Sequence, residues 1–84
     1  MPIVEPTLPA DIEEHRRFLK DSQKAGRYAY EGLRMEESGS WFVQLRRADR
    51  KCSWFYGRDP REALLRARVE VEAAIREHRE LRRG

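Results

Sequence analysis

The sequence predicts an α+β fold: a three-stranded antiparallel β-meander packed on a long C-terminal helix, with a short N-terminal helix before it. Three observations carry this. Between Tyr28 and Tyr56 three β-prone segments follow one another with only a few residues between them. Strands joined so tightly pair antiparallel, because a parallel crossover needs a dozen residues or more. From Pro60 onward apolar residues recur at steps of three and four, the spacing of one helix face. At 84 residues the chain is near the size at which a single domain just buries a core without staples.

Taken in order, residues 1–9 contain Pro2, Pro6 and Pro9 and read as an extended lead-in to one domain over 10–84. A helix fits from about Ala10 to Ala25, with Asp11 and Glu14 at capping-box spacing and Gly26 as terminator. Its apolar stripe is thin (Ile12, Phe18 and Leu19, with His15 between), which predicts a peripheral position. "YAYEGLRM" (28–35) is the first strand, and "EESGS" turns the chain. "WFVQLR" (41–46) alternates: Trp41, Val43 and Leu45 share one face, Phe42, Gln44 and Arg46 the other. "RADRK" turns again and "CSWFY" (52–56) returns.

"GRDPREALLRA" is the sharpest local signal. Asp59 caps, Pro60 takes the first helical position, and Glu62 completes a capping box. The helix runs to about Leu81 on a stripe of Leu64, Ala67, Val71, Ala74, His78 and Leu81, which Leu65, Val69 and Ile75 are expected to widen. A helix of this length spans about 33 Å and a six-residue strand about 20 Å. The last turns therefore overhang the sheet. Ile75, His78 and Leu81 then need cover from the N-terminal helix or from a second copy, so a homodimer through the C-terminal helix is one expectation.

Composition narrows the chemistry. The single cysteine, Cys52, excludes an internal disulfide and a multi-cysteine metal site. No apolar run approaches the roughly 18 residues of a membrane span, and no signal peptide is apparent, so a soluble cytoplasmic protein without membrane association is expected. His15 and His78 lie on separate predicted helices without ligand-spaced neighbours, Glu36–Glu37 sits in a turn, and there is no phosphate-binding glycine pattern. The expectation is no catalysis, no metal and no cofactor.

Charge is unevenly spread. Residues 1–14 hold four acids and no base, which leaves 18 bases against 11 acids, or +7, in the remainder. Arg46, Arg47, Arg50, Lys51 and Arg58 face only Asp49 within thirteen positions, a cluster suited to a phosphate backbone. With Val43, Leu45 and Phe55 turned to the helix, the outer sheet face reads Tyr30, Arg34, Phe42, Gln44, Arg46, Trp54 and Tyr56, with Cys52 beside them. Aromatic rings among Arg and Gln supply stacking, phosphate contacts and base-edge hydrogen bonds together. The candidate binding residues are Arg34, Phe42, Gln44, Arg46, Arg47, Arg50, Lys51, Trp54 and Tyr56.

"YEGLR" (30–34), "GSWFVQLR" (39–46), "WFYG" (54–57) and "DPREALLRA" (59–67) resemble the plant ethylene-response-factor type of DNA-binding domain. The related arm-site-binding domains of tyrosine recombinases share its three-strand-plus-helix plan. The resemblance implies a sheet lying in the DNA major groove, with Arg34, Gln44, Arg46 and Trp54 as contacts. Glu31 and Glu36 stand where the plant family tends to have Arg, and Ser38 where it has Trp. "GSWFVQL" and "YGRDPREALLRA" also resemble HicB-type antitoxins, which would imply a small RNA-cleaving toxin as partner. The function expected is a small double-stranded-DNA-binding protein using its sheet face. The alternative is a protein-interaction module, such as a HicB-like antitoxin or a phage-encoded, anti-CRISPR-type inhibitor of a nucleic-acid-processing complex.

Overall fold

Helix α1 (Ala10–Asp21) leads into β1 (Tyr28–Met35), β2 (Trp41–Arg47), β3 (Cys52–Gly57) and α2 (Pro60–Arg83). This is the order in a computed structural model that describes residues 7–22 and 28–83, with side chains as far as Glu80. The strands lie in the order β1-β2-β3 and both pairs are antiparallel. The period-two alternation of β2 decides the layering. Val43 pairs with Leu33 and Phe55, Leu45 with Tyr30 and Ser53, and both β2 residues are wholly buried. Helix α2 packs on all three strands from that side, while α1 touches only α2 and β1. The core between the layers is Leu19, Leu33, Val43, Leu45, Ala63, Leu64, Ala67 and Val71, and Trp41, Phe55 and Ile75 pack against it.

The start of α2 follows the sequence signal. The Asp59 carboxylate accepts the Glu62 backbone N–H at 2.8 Å, which satisfies one of the donors a helix start leaves open. Gly57 is the last residue of β3, and a Cβ there would lie 2.5 Å from the backbone nitrogen of Ala63. Only glycine permits so close a passage of strand and helix. That passage seats Ala63 and Leu64 in the core.

Helix α1 departs from expectation in several ways. Its described span ends at Asp21, with the Ser22 N–H bonded to the Phe18 carbonyl. The residues beyond Ser22 expected to continue it, and Gly26, lie outside the described residues, as do residues 1–6 of the lead-in. No side chain caps its start; the Pro9 carbonyl accepts the N–H groups of Ile12 and Glu13. Asp11 instead pairs with Arg61 of α2. The helix is also less peripheral than its thin stripe suggested. Leu19 is in the core, and Arg16 is 9% exposed and ion-paired with Glu13. The Arg68 guanidinium lies 4.2 Å from the Phe18 ring centre and 3.1 Å from His15 Nδ1. Asp11 beside Arg61 and His15 beside Arg68 show the two helices running side by side in the same sense.

Two further corrections concern faces. Leu65 and Val69 do not widen the buried stripe of α2; they are 38% and 66% exposed. At 100° per residue Val69 points roughly 160° from Ala67 and Val71. The second correction is in β1, where the register slips: Tyr30 pairs with Leu45 but Gly32 pairs with Gln44, leaving Glu31 over. This is a β-bulge, in which one strand carries an extra residue and its alternation is reset. Gly32 has φ 155° at the slip, a conformation that side-chain-bearing residues rarely adopt. As a result Tyr30 packs toward the core rather than outward, and the outer face receives Glu31, which pairs with Arg46.

Candidate functional site

Because both helices lie on one side, the other face of the sheet is uncovered among the described residues. Strand pairing arranges it in three rows: Arg34–Phe42–Tyr56, Gly32–Gln44–Trp54 and Ala29–Arg46–Cys52. The first row ends in a tilted aromatic pair, the Phe42 and Tyr56 rings lying 5.8 Å apart at 37°, within the range of favourable ring contacts. In the second row the Trp54 Nε1 donates to Gln44 Oε1 at 3.3 Å, and the Gln44 amide donates to Cys52 Sγ at 3.6 Å. Trp54 is 52% and Tyr56 45% exposed. The indole is therefore oriented by its neighbour while its ring stays accessible.

The face is electrically asymmetric. At one end the last residues of β2, Arg46 and Arg47, and the β2–β3 turn with Arg50, Lys51 and Asp49 are gathered; at the other the β1–β2 turn carries Glu36 and Glu37. Arg46 is paired with Glu31, and Arg47 with Asp49 at 3.6 Å. Among the described residues Arg34, Arg50 and Lys51 have no ion-pair partner. These three are the bases left to attract an anion.

Both hairpins close with the same turn. In β1–β2 the Gly39 N–H bonds to the Glu36 carbonyl at 2.9 Å and the Glu36 N–H to the Ser40 carbonyl at 2.8 Å. In β2–β3 the Arg50 N–H bonds to the Arg47 carbonyl at 3.0 Å and the Arg47 N–H to the Lys51 carbonyl at 2.8 Å. The geometry requires a left-handed residue at the fourth position. The first turn has Gly39 there, at φ 92°; the second has Arg50, at φ 69°. For a residue with a Cβ this conformation costs about 1–2 kcal/mol. Asp49 braces the turn by accepting the Lys51 N–H at 3.1 Å.

Of the residues singled out by the sequence, Arg34, Phe42, Gln44, Arg46, Trp54 and Tyr56 share the outer face. Arg50 and Lys51 are exposed at one end of it. Arg47 has the parity of Leu45 and belongs to the helix side of its strand. Sequence reasoning missed one member. Glu31 joins through the bulge, for which Gly32 inside a strand was the available signal. Met35 is 60% exposed next to the acidic turn, but it pairs with Trp41 and has the parity of Leu33, so it belongs to the helix side of the sheet. No group of three His, Cys, Asp or Glu side chains converges among the described residues, and no described helix is long and apolar enough to cross a membrane. Comparison of the chain with protein-family models, with curated proteins and with solved structures returns no match.

Proposed function

We propose that the outer sheet face binds nucleic acid, with double-stranded DNA as the class it suits best. One observation carries the reading: an uncovered sheet face presents Trp54, Tyr56 and Phe42 beside Arg34, with the unpaired Arg50 and Lys51 at its end. Three strands about 4.8 Å apart span about 10 Å, which fits a major groove about 12 Å wide. In that arrangement Arg50 and Lys51 neutralise phosphates, Arg34 reaches base edges or backbone, and the aromatic rings make apolar contacts with sugars and thymine methyls. Gln44 acts mainly by holding the indole, since its carbonyl already accepts from Trp54. The likeness of "YEGLR" and "GSWFVQLR" to the ethylene-response-factor domain supports the same docking.

The test is fluorescence anisotropy of a labelled random-sequence duplex titrated with the full chain at 50 mM and 200 mM salt. With two or three phosphate contacts, affinity should fall roughly ten- to fortyfold between the two. Absence of binding at 50 mM overturns the proposal. A protein partner is the second reading. It is favoured by Glu31 on the same face, since a carboxylate repels phosphate, and by the Trp, Tyr and Arg content typical of protein hot spots.

A further inference from the structure

We propose that the chain forms an antiparallel, two-fold homodimer through the solvent side of α2, centred on Val69. This surface lies opposite the buried stripe and is independent of the nucleic-acid reading. Val69, Leu65 and Ala73 are exposed there, and an open groove runs along Asp59, Arg61, Glu62, Leu65, Arg66 and Val69. Residues seven apart on a helix differ in direction by only about 20°. Glu62, Val69 and Arg76 therefore line one stripe, with Leu65 and Ala73 flanking its apolar centre.

The occupant follows from the charge pattern. A two-fold axis across Val69 brings residue 69−n of one copy to the level of residue 69+n of the other. Within α2, from 61 to 77, every charged residue is mirrored about Val69 by one of opposite sign: 61 with 77, 62 with 76, 66 with 72 and 68 with 70. On the exposed side the apolar positions mirror each other as well, Leu65 with Ala73. On the facing stripe this sets Glu62 against the second copy's Arg76, twice by symmetry, on either side of a Val69–Val69 contact. Arg76 has no ion-pair partner of its own among the described residues, while Glu62 meets Arg66 of its own helix at 3.5 Å, an exposed contact its second oxygen leaves room to add to. A parallel pairing would instead stack Glu62 on Glu62 and Arg76 on Arg76. The surface is thus complementary to itself in one orientation only, which is the condition for an isologous interface.

Sedimentation equilibrium on the full chain over about 5–500 μM decides this, with circular dichroism confirming that each variant is folded. The parent should dimerise within that range. Val69→Glu places two carboxylates on the axis and should leave a folded monomer. Glu62→Arg and Arg76→Glu should each weaken the dimer at least about tenfold, and the double variant, which restores opposite charges, should recover most of that loss. A parent that stays monomeric throughout, a dimer indifferent to Val69→Glu, or a double variant no better than the singles each overturns the proposal.

Discussion

Trp54 donates its indole N–H to the side-chain carbonyl of Gln44, the residue directly opposite it on β2, at 3.3 Å. The pair lies at the centre of the uncovered face, so the ring is fixed in direction without being buried. Truncating it should change binding far more than folding.

Trp54→Ala is expected to lower stability by no more than about 1 kcal/mol, the worth of one neutral hydrogen bond and partial contact. Leu45→Ala, at a fully buried position, should cost about 2–5 kcal/mol. Thermal melts of both variants, with duplex binding for Trp54→Ala, separate the roles. A large drop in melting temperature for Trp54→Ala would show that its ring is held by cover.

Arg50→Gly tests why a left-handed position carries an arginine. Glycine removes the left-handed penalty but adds freedom to the unfolded chain, so stability should stay level or rise by up to about 1 kcal/mol. Duplex affinity and its salt dependence should both fall if the guanidinium meets a phosphate. Binding that survives unchanged would leave the strain without a use at this face.

Val71→Asp puts a carboxylate in the core stripe, where the native side chain is 1% exposed. No cation among the core residues is free to meet it, and the cost should be about 3–5 kcal/mol. Urea unfolding gives the number. A variant as stable as the parent would mean that this face of α2 does not meet the sheet.

Much of this architecture is legible in the sequence, and the failures have physical causes. The β2 alternation and the Asp59–Pro60 start are local, so the residues themselves reveal them. The bulge at Glu31 is a property of how two strands pair, and one slipped residue moves Tyr30 from the outer face to the core. Leu65 and Val69 lie four apart on a second stripe that helical periodicity itself turns away from the core, and that side of α2 has no neighbour among the described residues. Asp11 has the composition of a cap, but the tertiary ion pair with Arg61 takes it instead. The outer-face residues of β2 and β3 were recovered because alternation alone assigns them; the neutralisation of Arg46 by Glu31 depends on the bulge and was not.

Acid should loosen the α1 side first. The hydrogen bond from Arg61 holds the Asp11 carboxyl below its ordinary value of 3.8, and the bond from Arg16 holds Glu13 below 4.5. A depressed carboxylate stabilises the fold above its ordinary value, and that contribution is lost as pH falls through the folded value. The melting temperature should thus be level from about pH 5.5 to 8 and decline below about 4.5, and Asp11→Asn should remove part of that decline. At the alkaline end, burial and then Glu70 push the Tyr28 hydroxyl up from 10.0. Its contribution is complete below that value and disappears as pH rises through the folded one. An Asp11→Asn profile superimposable on the parent's would exclude Asp11 as a source of the acid limb.

The pairing of α1 with α2 joins residues some fifty positions apart, Asp11 with Arg61 and His15 with Arg68, whereas the two hairpins close over short turns. Loop-closure entropy makes distant contacts late to form and early to open. The chain is thus a sheet-and-helix unit onto which a first helix clips, and the clip should release in local openings that leave the sheet intact. Native-state hydrogen exchange reads this directly: amides of Glu14 to Leu19 should exchange faster than those of Val43, Leu45 and Leu64, through an opening that exposes less surface. Equal protection across both sets would make the whole molecule one cooperative unit.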